Sequence, residues 1–252
     1  MRLPRPLRRW LAVSPLLGAG CGLIFPAPTP MRTINRLADP PYAGRCVVVF
    51  LPGFGDDERA FLDHGFAGAL RARSLHVDAI FTAATYGYYA KRTILGRLRE
   101  DVVNPALAHG YEQIWLVGVS MGGLGALLLA KEPDTHVAGA LLLAPYLGED
   151  DLLREVDRAG GLARWEPGPP RDQDYQRDLW RFLKGVAQRP EAAPAIYLAA
   201  GDRDKLAQGH RLLAASLPPS RVFSIPGRHD WKTWSILWAR FLDDSDFRAR
   251  CG

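Results

Sequence analysis

Six short, continuously apolar runs recur along this 252-residue chain, with sequence of helical periodicity between them. The runs are CVVVFL (46–51), VDAIFTA (77–83), IWLVGV (114–119), AGALLLA (138–144), AIYLAA (195–200) and RVFSIP (221–226). A strand apolar on both faces must be covered on both faces, which is the condition of a parallel sheet between two helix layers. Helical patterns lie near 57–73, 92–108, 121–131, 206–216 and 231–242. Such alternation predicts an α/β fold built on a doubly wound, mostly parallel sheet. With 48% hydrophobic and 23% charged residues, the chain is long and apolar enough to bury one sizeable core.

One interval is too long for this rhythm. Between Gly148 and Pro194 no strand pattern occurs, while LLREVDRAGGLARW and DYQRDLWRFLKGVAQ read as helices separated by EPGPPRDQD. A crossover helix needs only about a dozen residues. The segment 148–194 is therefore expected to form a small helical cap inserted in the domain 45–252.

The stretch GVSMG (118–122) follows one apolar run and opens the helical GGLGALLLAKE. A strand that turns abruptly into a helix leaves no room for side chains beside the turn, which accounts for Gly118 and Gly122. Such a turn presents Ser120 above the sheet at the positive end of a helix. A serine hydroxyl is a weak nucleophile until a base takes its proton.

Six histidines are available. His64, His76, His109, His136 and His210 fall in or beside helices or at strand starts, where packing or surface roles are the default. His229, in PGRHDWKTW, follows the last apolar run directly, so its imidazole belongs at the carboxyl edge of the sheet, where α/β sites assemble. The carboxylate that orients it is expected in YLAAGDRDKL, as Asp202 or Asp204. The spacing alone does not choose between them.

The order serine, aspartate, histidine, with a G-x-S-x-G turn between strand and helix, resembles the α/β-hydrolases over residues 46–241. In that family the acid is the fourth residue of a G-x-x-D turn, and GDRD carries this role onto Asp204. The resemblance also implies an oxyanion hole from two backbone amides. One is that of Met121, directly after the nucleophile. The other is that of Phe54 in FLPGFGDDE (50–58), where Pro52 stands in place of a common histidine. Asp56 or Asp57 is expected to cap the next helix. The ending GRHDWKTW is similar to that of esterase D-type carboxylesterases.

These features point to a serine hydrolase that cleaves small-molecule carboxylic esters through an acyl-enzyme. The same triad could serve an acyltransferase or thioesterase, and a broken triad would leave a non-catalytic envelope binding protein. Tyr86, Tyr88, Tyr89, Trp165, Trp180, Trp231 and Trp234 are aromatics that could wall an acyl pocket. No G-x-x-x-x-G-K loop or metal-ligand spacing occurs, so no cofactor and no metal are expected. The formal charge of +5 owes much to arginines in MRLPRPLRR, and no basic stripe suggests a nucleic acid.

Those arginines precede an apolar stretch and GAGC, the pattern of a secretory signal over residues 1–21. LGAGC also resembles a bacterial lipobox, making Cys21 a lipidation candidate and a lipid anchor to the membrane one reading. From Trp10 to Phe25 the run falls short of the roughly 18–20 residues of a spanning helix. Residues 22–44 then read as a proline-punctuated tether. An exported, cell-envelope location is expected, and it would permit a disulfide between Cys46 and Cys251.

Overall fold

Every residue of Cys46–Leu51 is buried, as a run apolar on both faces demands. The computed structural model describes residues 25–38, 46–75, 77–171, 174–189, 191 and 194–251. The segment 1–21 and Cys21 lie outside them. Among the described residues seven strands form one sheet. They are β1 (Thr33–Arg36), β2 (Cys46–Leu51), β3 (Asp78–Thr82), β4 (Gln113–Val119), β5 (Val137–Leu143), β6 (Ala195–Gly201) and β7 (Val222–Ile225). Their order is β1-β3-β2-β4-β5-β6-β7, and every pairing is parallel except β1 with β3. The expected fold class is the observed one.

The helices divide between the two faces. On one side lie α1 (Ala60–Asp63), α2 (Phe66–Ala72), α10 (Trp231–Asp244) and α11 (Phe247–Cys251). There Phe50, Phe66 and Trp238 pack in mutual ring contact. The other side holds α4 (Ile94–Leu98), α5 (Asn104–Ala108), α6 (Met121–Ala130), α7 (Asp150–Arg158), α8 (Tyr175–Gln188) and α9 (Ala207–Ala214). A short helix, α3 (Tyr86–Ala90), follows β3. Helix α6 is buried along its whole length, so it carries no polar face and its register depends on packing alone.

Three expectations need correction. The tether 22–44 is not free of regular structure: Thr33–Arg36 adds an antiparallel strand to the sheet edge, pairing Ile34 with Phe81. Its partly exposed pattern is that of an edge strand, which no continuous apolar run announces. The helix expected over 57–73 is broken at Gly65, whose φ of 79° only glycine adopts freely. The helix expected over 92–108 contains a wider π-type turn at Arg99–Val103. Pro105 follows this turn and has no amide to donate back into a regular helix.

The segment 148–194 contributes α7 and α8. They are fixed to each other by the Arg177 guanidinium, 2.6 and 2.7 Å from the Glu155 oxygens. Trp165 and Trp180 are buried, with indole donors on Glu155 and on the Leu147 carbonyl. Across the molecule, Cys46 at the start of β2 is disulfide-bonded to Cys251 in α11, with Cα atoms 5.4 Å apart.

Candidate active site

Residue 120 is the joint between β4 and α6, and its backbone explains the glycines around it. Ser120 holds φ 52° and ψ −113°, a conformation unfavourable for any residue with a side chain. A Cβ on Gly122 would stand 2.0 Å from the Leu51 carbonyl oxygen, and one on Gly118 would stand 2.3 Å from that of Gly122. Only a chain bare at both positions turns this tightly. The turn is held on two sides: the Ser120 amide donates to Leu143, and the Ser120 carbonyl accepts from Tyr146.

The two partners arrive from the carboxyl ends of β6 and β7. His229 Nε2 lies 3.0 Å from Ser120 Oγ, and its Nδ1 lies 2.8 and 3.0 Å from the Asp204 oxygens. The Asp204 side chain is fully buried. Burial pushes its carboxyl upward, but the hydrogen bond from His229 and the amide of Leu206 outweigh this and hold it below the usual carboxylate range. The ionised carboxylate can only accept, so Nδ1 carries the imidazole proton and Nε2 is left as acceptor toward Ser120. Trp234 meets the imidazole edge-on at 5.0 Å and fixes its plane.

The two aspartates have different partners, and Asp204 is the one that faces His229. Asp202 is exposed, and its carboxylate accepts from the Gly227 amide at 3.0 Å, stapling the β6 and β7 loops together. Asp230 caps α10 by accepting from Thr233, which orients the loop carrying His229. In the β2 loop, Asp57 accepts from the Arg59 amide in a turn ahead of α1, but Arg59 itself holds the N-cap position and no side chain caps the helix, so the expected cap does not form. Asp56 is half-buried against Trp231 instead.

A cleft of about 450 Å³ opens at Ser120. Phe54 and Met121 line it, so both residues expected to supply oxyanion amides border the nucleophile. Met121 begins α6, and the first amides of a helix have no partner within it. Tyr86, Tyr89, Ala90, Leu124, Tyr146, Glu149, Tyr175, Lys205 and Leu206 complete the wall. Of the aromatics singled out in the sequence, only Tyr86 and Tyr89 are there. Tyr88 is buried with its hydroxyl on Pro28, Trp165 and Trp180 fill the cap's interior, and Trp231 stacks on His64. Tyr146, Glu149 and Tyr175 were not foreseen. Tyr146 could have been, since it follows β5 at the same sheet edge that supplies the other site residues.

Among the described residues no cluster of histidine, cysteine and acidic side chains could hold a metal ion. His64, His136 and His210 each meet a backbone carbonyl, of Ala60, Glu112 and Pro145, His109 packs against Tyr111, and His76 lies outside the described residues.

No curated protein sequence matches the chain. Solved structures do. MPT51 of Mycobacterium tuberculosis superposes with a TM-score of 0.62 at 15% identity, covering 90% of this chain and 97% of that one. An S-formylglutathione hydrolase of Agrobacterium tumefaciens gives 0.56 at 13% identity, covering 88% and 90%. A monoacylglycerol lipase of Paleococcus ferrophilus gives 0.53 at 14% identity, covering 88% and 99%. These likenesses establish a shared fold. A family profile goes further, matching residues 48–249, a span that runs from β2 past His229 and contains every site residue above. The chain belongs to the alpha/beta hydrolase family.

Proposed function

We propose that the protein is a serine hydrolase that cleaves carboxylic esters through an acyl-enzyme, with Ser120, His229 and Asp204 as its catalytic residues. The observation that carries this is the unbroken relay from Asp204 through His229 to Ser120, each link at 2.8–3.0 Å. In the first half-reaction Ser120 Oγ attacks the acyl carbon while His229 Nε2 takes its proton. Buried Asp204 stabilises the imidazolium so formed. The amides of Met121 and Phe54 receive the developing oxyanion, each such donor being worth about 3–4 kcal/mol in the transition state. Collapse expels the alcohol, which leaves with the proton from His229. Water then repeats the sequence and frees the acid. The monoacylglycerol lipase and S-formylglutathione hydrolase that share this fold are consistent with hydrolysis at such a centre.

The test pairs fluorophosphonate labelling with turnover of p-nitrophenyl esters, in wild type and Ser120→Ala. Labelling and turnover that both require Ser120 are expected. Labelling without turnover assigns the activated serine to a different acceptor, and no labelling of folded protein overturns the triad.

We also place the protein outside the cytoplasm, in the cell envelope, with Cys21 as a lipid-anchor candidate. The arginine–apolar–GAGC order of residues 1–21 supports this reading. The Cys46–Cys251 disulfide supports it independently, because such bonds persist in oxidising compartments. Fractionation of cells and metabolic labelling with a palmitate analogue, wild type against Cys21→Ala, test location and anchor together.

A further inference from the structure

The cleft does not stop at the nucleophile. Tyr89, Leu124 and Tyr175 line it and also line a second cavity of about 380 Å³, which Ile94, Leu95 and Leu128 continue, with the exposed Arg92 also on its wall. Leu124 and Leu128 are spaced i and i+4 on α6, whose first residue directly follows Ser120. A rise of about 1.5 Å per residue puts Leu128 roughly 12 Å beyond Ser120 along the helix. Apart from Arg92 the lining is apolar in effect, even at Tyr89. That hydroxyl is inaccessible and unpartnered, packed where a Cβ on Gly125 would stand 2.2 Å from it, so the ring is what Tyr89 offers.

The topology says which half of an ester belongs there. Ser120 ends β4, and the strand order runs β3-β2-β4 on one side of it and β5-β6-β7 on the other. Tyr89, Ile94 and Leu95 follow β3, whereas His229 follows β7. The leaving alcohol must meet His229 Nε2 to receive its proton, so it departs on the β7 side. Lys205 and Glu149 border the cleft after β6 and β5, making that side polar. The apolar groove lies on the opposite side, where the acyl chain is left.

We propose that this groove is an acyl-chain site for unbranched fatty-acyl esters of about ten carbons, a reading that rests on the serine-esterase assignment. The length follows from the groove: an extended chain advances about 1.2 Å per bond, a third of the ~3.6 Å spanned by three backbone bonds, so ten carbons reach Leu128. Each methylene seated there raises kcat/KM by up to about fourfold. The occupant is fixed by continuity with the nucleophile's cleft through three shared residues.

Two measurements test this. For wild type, kcat/KM for p-nitrophenyl esters should rise from acetate to decanoate and fall at palmitate. Leu95→Trp and, separately, Leu128→Trp should each cut the decanoate-to-acetate ratio at least tenfold; using both guards against one variant failing to fold. Calorimetric binding of free decanoate to Ser120→Ala, weakened at least tenfold by added Leu95→Trp, reads the groove without any turnover. If wild type cleaves no ester but Ser120→Ala binds decanoate, the esterase assignment fails and the apolar site stands. If esters are cleaved best at acetate and decanoate does not bind, the site is wrong and the esterase assignment survives.

Discussion

Asp204 faces His229 with both carboxylate oxygens, at 2.8 and 3.0 Å from Nδ1, and its side chain has no contact with solvent. This pairing fixes the imidazole's tautomer, and tautomer control is what an amide in its place would reverse. Asp204→Asn keeps the shape but can donate to Nδ1, which turns a protonated Nε2 toward Ser120 and disables the base. We expect kcat for ester hydrolysis to fall about 10³–10⁴-fold with the fold intact, by analogy with the same change in the serine-protease triad. Asp202→Asn, which still accepts from Gly227, should change kcat by less than threefold. Equal losses in the two variants would mean that the acid has been misassigned.

The nucleophile turn leads to a second prediction. A methyl group on Gly122 would be driven to 2.0 Å from the Leu51 carbonyl, where only backbone could yield. Gly122→Ala should therefore destabilise the protein by more than about 3 kcal/mol, seen as loss of soluble protein or a large drop in thermal midpoint. A variant that melts with wild type would show that the turn can relax and that the glycine is not sterically required.

How much of this was visible in the sequence depended on whether neighbours along the chain or neighbours in space decide the outcome. The six apolar runs became β2 to β7 with ends shifted by one residue at most, because burial on both faces is written in each run itself. Ser120, Asp204 and His229 lie at three strand ends, and the parallel topology alone brings three such ends to one edge. The strand Thr33–Arg36 was missed because an edge strand's partner, not its own pattern, defines it. The tryptophans at 165 and 180 could not be placed for a related reason: an aromatic in a helical segment can face the core or a cleft, and both of these face the core. Tyr175, which borders the cleft from the start of α8, has no local signature at all.

The link between Cys46 and Cys251 closes nearly the whole domain, since the two are 205 residues apart in sequence. Cross-linking so long a loop restricts the unfolded chain strongly, and native disulfides commonly contribute about 2–4 kcal/mol. Replacing both cysteines by serine should lower the thermal midpoint by roughly 4–16 °C for a domain of this size. Activity at 25 °C should persist, because the bond lies at the start of β2 and in α11, away from the site. An unchanged midpoint under oxidising conditions would mean that the thiols are not paired in solution.

His210 is buried, and its Nε2 lies 3.0 Å from the Pro145 carbonyl, one residue before the Tyr146 amide that holds Ser120. The carbonyl accepts, so Nε2 carries a proton, while Nδ1 is buried with no hydrogen-bond partner. Burial dominates in lowering its pKa; Asp204 and the Pro145 carbonyl oppose this, while the nearby His229 adds to it. The folded pKa is thus below the unfolded value of about 6.5, and the unfolded chain takes up a proton that the native protein refuses. Stability from this residue is fully present above pH 6.5 and is lost as pH falls toward the depressed folded pKa, at no more than about 1.4 kcal/mol per pH unit. His210→Gln keeps an N–H for Pro145 and cannot titrate. Urea midpoints measured at pH 7.5 and 5.0 should therefore fall further for wild type than for His210→Gln. The same comparison by ester turnover at pH 7.5 reads the residue's positioning role: a glutamine that restores the Pro145 hydrogen bond should retain most of kcat, whereas His210→Leu, leaving that carbonyl unpaired beside the nucleophile turn, should not. Parallel acid losses in wild type and His210→Gln would place the refused proton on another group.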